Sequence, residues 1–243
     1  MSNRLKFSLG HLATSILIAL TAIVIVFYFW YPTPLAKAVD VTHIFLMVLG
    51  IDVIIGPVLG FFIYKEGKKT LKIDLTIIIL VQLAALLYGL FSIFEGRPAW
   101  LVYNVDRFEL VRNNDIVHEN LNQALPQFQN SSWLKPQYVA VEFAKNPKQR
   151  NNDMFAEVLG GISIAQRPER YVPLVQATAQ IQKRRQKLEL LQQYNDKDSV
   201  VKILNQYPQA TAFVPLKASH LDMAVLLDKK GNVVKIVDLR PWK

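Results

Sequence analysis

Three long stretches of this chain carry almost no charge. Between Lys6 and Lys37 lie 30 consecutive residues without Asp, Glu, Lys or Arg; Val41 to Tyr64 is a run of 24 with the single charge Asp52, and Leu75 to Phe94 is a run of 20 with none. A helix crosses hydrocarbon with roughly 20 apolar residues. The pattern therefore predicts membrane spans over about 9–30, 41–64 and 75–94, and a three-helix membrane domain over 1–94. Aromatic residues suited to the interface, among them Trp30, Tyr31, Tyr64 and Phe94, stand at the ends of these runs. A cleavable leader is the rival reading of the first run, because Arg4 and Lys6 precede it and Ala36-Lys37-Ala38 has a small-x-small form. Its apolar part is about twice the length of a leader's apolar region, and Pro32 with Pro34 makes an ordinary turn. It is read as an anchor.

After Glu95 the periodicity changes. Trp100–Val105, Arg107–Val111 and Tyr138–Phe143 are short runs rich in β-branched and aromatic residues and read as strands. Val172–Tyr194 holds good helix formers with an imperfect stripe of Val175, Ala179, Ile181, Leu188, Leu191 and Tyr194. Asp198–Tyr207 reads as a second, shorter helix. Strands over 212–216, 223–227 and 233–239 close the chain, the last two joined by a glycine-containing turn at Asp228–Asn232. Strands around a helical centre predict an α+β domain over 95–243 with a mostly antiparallel sheet, large enough for its own core.

Composition changes this picture in two ways. Cysteine is absent, which excludes disulfides, thiolate metal sites and Cys nucleophiles. The net charge of +9 suggests an anionic partner, but its distribution matters more. Short loops set orientation through Lys and Arg. The N-terminal tail carries Arg4 and Lys6, the first loop only Lys37, and the second loop Lys65, Lys68, Lys69 and Lys72. The N-terminus and second loop are thus expected in the cytoplasm and the domain after Phe94 on the far side, the periplasm in a bacterium. Nucleic acid is not an expected partner, because the densest basic run, Lys183, Arg184, Arg185 and Lys187, lies beyond the membrane. That run is a candidate patch for an anionic partner, against the plainer reading of a solvated helix face.

Chemistry is sparse. There is no glycine-rich phosphate loop, His-Glu-x-x-His or Gly-x-Ser-x-Gly. Ser219, His220 and Asp222 are triad residue types, but neighbours along a strand face opposite ways, so they read as a polar loop. In the membrane Asp52 stands out: a carboxylate at mid-depth costs on the order of 3 kcal/mol on insertion scales, so it should face protein. At 1.5 Å per residue it lies about 18 Å from Tyr64, and Gln82 about 15 Å from Lys72, so the two share a depth. Thr21 of the first span is placed near it. One reading makes Asp52 and Gln82 structural glue between spans; the other has Asp52, Gly56, Pro57 and Gln82 line a groove for a client helix.

The motifs together resemble a family. Trp30-Tyr31-Pro32, Val41-Thr42-His43-Ile44-Phe45, Asp52 with Gly56-Pro57, and Gly67-Lys68-Lys69 with Leu71, Lys72 and Asp74 are similar to the membrane half of the TfpX/TfpZ type IV pilin accessory proteins. Arg97-Pro98, Tyr103-Asn104-Val105-Asp106-Arg107-Phe108 and Ile236-Val237-Asp238-Leu239-Arg240-Pro241-Trp242 resemble that family's outer domain. The resemblance implies a multi-pass inner-membrane protein, in contact with its lipid, that partners the major type IV pilin and assists its stability or assembly. It brings no catalytic residue, cofactor or metal. The alternative is a membrane-anchored periplasmic enzyme acting on pilin or envelope material.

Overall fold

The structure is a computed structural model that describes residues 2–142 and 146–243. It divides into two compact units, Met1–Ala36 with Asp40–Gly96 and Lys37–Val39 with Arg97–Lys243.

In the first unit the apolar runs are helical, as their length and composition require. Helix α1 spans Asn3–Val24 and continues as a wider π turn over Ile25–Trp30; after the short helix α2, Leu35–Ala38, come α3, Val41–Ile63, and α4, Leu71–Glu95. Among the described residues these three helical stretches of 28, 23 and 25 residues are long and apolar enough to cross a membrane. Helix α4 begins at Leu71, one turn before the apolar run, because Asp74 in its first turn accepts from Thr70 Oγ1 at 3.1 Å and pairs with Lys68 Nζ at 2.6 Å. Helix α3 packs against both α1 and α4. Its buried positions Phe45, Leu49, Asp52, Gly56 and Gly60 recur at three- and four-residue spacing. Glycine permits the close approach: a Cβ on Gly60 would lie 2.9 Å from the Phe7 ring.

The second unit is built on one seven-stranded sheet among the described residues, ordered β4-β3-β1-β2-β5-β6-β7. Its strands are β1 Pro98–Asn104, β2 Arg107–Arg112, β3 Gln137–Val141, β4 Tyr171–Pro173, β5 Ala212–Lys217, β6 Met223–Leu227 and β7 Val233–Val237. Phe143, at the end of the third expected strand, lies outside the described residues. The sheet is mixed, not mostly antiparallel. β1 pairs with β3 in parallel and β2 with β5 in parallel, whereas β1/β2, β3/β4, β5/β6 and β6/β7 are antiparallel. Residue alternation does not encode strand direction. The long connection after β2 carries the chain past β1, where β3 runs opposite to β2 and hence parallel to β1, and the long connection between β4 and β5 carries it back across the sheet in the same sense.

Every residue of β1 is buried. Trp100 packs edge-on against Phe128 and Tyr171, with ring centroids 5.9 Å and 5.4 Å away. A second cluster, around Leu191, Val200, Phe213 and Leu226, fills the other half. Glu109 is also buried, and it is satisfied: Asn104 Nδ2 and Ser163 Oγ each donate to its carboxylate at 2.8 Å.

The expected helix over Val172–Tyr194 is broken into pieces. Only Thr178–Arg184, α6, is α-helical; Leu174–Ala177 and Leu188–Gln193 are 3-10 turns. Pro173 ends β4, and at Gln186 the backbone is pulled into a two-way bridge with Phe213, its N–H donating at 2.7 Å and its carbonyl accepting at 2.9 Å. Val175, the first member of the expected helical stripe, is 75% exposed. Two further helices are α5, Pro147–Gly160, and α7, Lys197–Leu204.

Burial, to which the edge-on Phe108 ring 5.7 Å away belongs, pushes the Tyr138 phenol from 10.0 up to about 12. Between these values the unfolded chain sheds a proton that the folded one retains, so stability falls as pH rises from about 10 to 12. Tyr138→Phe is expected to flatten that alkaline limb in denaturation of the purified protein at a series of pH values. An equally steep limb in the variant contradicts the assignment.

Candidate functional site

The membrane unit gathers its polar side chains around α3. Asp52 is 8% exposed, and its carboxylate faces Gln82 of α4 and His11 of α1. The Gln82 amide Nε2 donates to the main-chain carbonyl of Asp52 at 2.6 Å. The same amide lies flat on Gly56: a Cβ there would collide with Gln82 Oε1, Cδ and Nε2. Asp52, Gly56 and Gln82 are thus brought together at one depth. Pro57 is buried but turned to α1, where its carbonyl accepts from Ser8 Oγ at 3.0 Å.

Thr21 is not part of this cluster. It is exposed, and its hydroxyl donates to Leu17 O of its own helix at 2.9 Å. His11 and Ser15 take that place on α1. A sequence signal for them exists in retrospect: they share a helical face with Phe7, Ser8 and the small residues Ala19 and Ala22, all of which meet α3 or are buried.

Two grooves flank Asp52. One, of about 420 Å³, lies between α3 and α4 and is walled by Ile51, Ile55, Leu59, Ile77 and Val81 with Asp52 and Gln82 as its polar members. The other, of about 540 Å³, lies between α1 and α4 and adds Lys6, His11, Thr14 and Ser15. Each has the size of a site that takes side chains, within the usual range of about 300 to 1,000 Å³. In hydrocarbon such a site can hold a neighbouring apolar helix and offer it one polar contact.

In the second unit Lys183, Arg184, Arg185 and Lys187 are all exposed. The first two close α6; Arg185 Nη1 donates to the carbonyl of Lys229 at 3.1 Å. Ser219, His220 and Asp222 form no triad. Asp222 uses one carboxylate oxygen to accept from Ala218 N at 2.9 Å and the other to accept from Trp242 Nε1 at 2.6 Å. Its work is to tie the C-terminal tail to the start of β6. Among the described residues no group of His, Asp and Glu has the arrangement of a metal site.

The α3–α4 contact can be tested directly in a chain without cysteine. A Cβ on Gly89 would lie 3.8 Å from Val48 Cβ, the mean separation of about 3.8 Å in disulfides. Val48→Cys with Gly89→Cys is expected to cross-link under mild oxidation, read as loss of maleimide labelling that a reductant restores. Full labelling after oxidation would refute the packing.

Comparison with known proteins identifies what this arrangement belongs to. The family model of the fimbrial assembly protein FimB matches residues 1–39. Two fimbrial assembly proteins of Dichelobacter nodosus, of serogroups E1 and I, are each 31% identical over 245 residues, covering 96% of this chain and 94% of theirs. A third, of serogroups C1 and C2, is 35% identical over 122 residues, 49% of this chain and 92% of its own. No solved structure matches. Because the similarity runs through both units at this identity, the chain belongs to the fimbrial assembly protein family.

Proposed function

We propose that this protein is an inner-membrane accessory factor of type IV pili, of the TfpX/TfpZ kind, that holds the major pilin before its incorporation and has no enzymatic activity of its own. The observation that carries the reading is end-to-end similarity to fimbrial assembly proteins. Three apolar helices fit a multi-pass membrane protein. The second unit takes in Lys37–Val39, from the loop between the first two spans, along with everything after Gly96. A chain that crosses three times puts those two segments on one side. The lysine-rich second loop supports a periplasmic location for that side.

A pilin awaiting assembly offers an apolar helix and a folded head. The α3–α4 groove takes the helix, with Asp52 and Gln82 as its polar contact, and the second unit takes the head. The sheet has two end strands, and β7 is the longer: β4 has three residues and ends in Pro173, which lacks an N–H to donate. Addition of a pilin strand to β7 is the corresponding mode of head recognition.

Deletion of the gene, with total pilin and surface pili measured separately, tests the reading. Low total pilin is expected if the protein stabilises its client, and normal pilin without fibres if it delivers the client to the assembly machine. Unchanged levels of both would refute it. Within the groove, Asp52→Ala is expected to weaken photo-crosslinking of pilin from position 55 while the protein's own abundance stays normal. A fall in abundance instead assigns Asp52 to structure.

A further inference from the structure

One loop of the second unit carries its polar and apolar side chains in reverse. Residues 131–136 lead into β3, and their polar groups are turned inward. Arg97, 3% exposed, donates through Nη2 to Ser131 Oγ at 3.1 Å and to the carbonyl of Ser132 at 3.2 Å, and Ser131 Oγ donates to Asn113 Oδ1 at 2.7 Å. Ser132 Oγ accepts from the N–H of Leu134 at 3.2 Å, which curls the chain into a tight turn. That turn presents outward Trp133, 77% exposed, and Leu134, 52% exposed, followed by the exposed Lys135. In water a large apolar ring so placed stays hydrated, which the hydrophobic effect opposes.

The place of the loop in the sheet selects what covers it. β3 is parallel to β1, with Gln137 opposite Trp100, so the loop lies at the end of the sheet where β1 starts. Arg97, which ties it down, is two residues beyond Glu95, the last residue of α4, so their Cα atoms are at most about 8 Å apart. The other entry of the chain into this unit reaches the same end. β5 is parallel to β2, whose last residue, Arg112, stands opposite Pro98; the segment after β5 therefore returns to that end, and there His220 and Leu221 donate their N–H groups to the carbonyl of Ala38. We propose that residues 131–135 are an interfacial anchor: Trp133 and Leu134 enter the headgroup layer and the uppermost acyl carbons of the bilayer that the chain itself spans, while Lys135 stays among the phosphates. Tethering favours lipid over a protein surface, because the bilayer is a permanent neighbour of this end at high effective concentration. The residue types agree: an indole has an apolar body and one N–H for the wet layer, and lysine has an apolar stem with a charged head.

The test uses the full chain reconstituted in vesicles of phosphatidylcholine, a lipid without net charge. Leu134→Cys supplies the sole thiol of the chain for an environment-sensitive fluorophore; Lys229→Cys, in the β6–β7 turn at the opposite end of the sheet, is the reference position. The probe at 134 is expected to be quenched by nitroxides carried near the lipid carbonyls and shielded several-fold from iodide in the water, with the reverse at 229. Trp133→Ser should cut the lipid quenching at 134 several-fold, far-UV circular dichroism establishing that the variant is folded. High salt should leave it intact, because the attachment is apolar. Iodide quenching at 134 equal to that at 229 overturns the proposal, and so does lipid quenching that is lost in high salt. Shielding that arises only when pilin is co-reconstituted overturns it too, and would assign the loop to a protein surface.

Discussion

Inside hydrocarbon a polar group must find its partner within the protein, and α3 is arranged around that constraint. Pro57 has no N–H, so the carbonyl of Val53 loses its helical donor, and the C-terminal carbonyls of the helix are unpaired by geometry. Helix α1 supplies donors along this half: Ser8 Oγ reaches the carbonyl of Pro57, and the Arg4 guanidinium reaches that of Phe61 while lying over the Phe61 ring, 3.9 Å from its centroid. A cation at that end also meets the negative end of the helix dipole. From the opposite flank Gln82 donates to the carbonyl of Asp52. The polar residues of α1 and α4 thus stitch both neighbours to one helix, and glycines at 56 and 60 bring the helices near enough for the bonds to form. Asp52 sits where the two sets of contacts converge, which is why it borders both grooves.

The spans were legible because their signal is coarse. Absence of charge over a hydrocarbon-length run leaves few alternatives. The depth match of Asp52 and Gln82 was also readable, since the rise of a helix is fixed. The azimuth was not. Thr21 and His11 are both polar residues of α1, and only the face that α1 turns to α3 decides which one joins the cluster. That face is marked by small and ring residues, Phe7, Ala19 and Ala22, whose pattern is weak in a helix that is apolar all round. The same ambiguity separates Pro57, which faces α1, from Gln82 on the other flank.

In the second unit the strands were legible and their neighbours were not. β1, β2, β5 and β6 are short β-branched and aromatic runs, found within about two residues of their expected limits, the usual error of a pattern reading. Sheet order depends on contacts across long crossovers, which period and propensity do not report. The middle of the chain shows tertiary structure overriding propensity: Lys187 to Tyr194 is rich in helix formers, yet the Gln186 bridge to Phe213 sets the backbone extended just before it, and burial of Leu191 is achieved in a 3-10 turn. The short β1–β2 turn makes a comparable point. Val105 holds φ +56°, a region unfavourable to a β-branched residue. Tyr103 Oη and Gln180 Nε2 both donate to its carbonyl, so the surrounding structure compensates for the strain.

The same long-range contacts constrain how the molecule is made. The carbonyl of Ala38 accepts from the backbone N–H groups of His220 and Leu221, at 3.0 Å and 3.1 Å, and Lys37 pairs with Asp238 at 2.6 Å. Those partners lie at the two ends of the β6–β7 segment, whose tail is pinned by Asp222 to Trp242. A loop between the first two long helices is thus completed by residues far later in the chain. Closing so long a loop costs entropy that a few exposed polar bonds do not recover; the membrane reduces that cost if spans two and three insert as a hairpin and return the chain to the side on which residues 37–39 wait. Insertion of the spans is then a precondition for completing the second unit, and the order of folding follows from the topology of the chain.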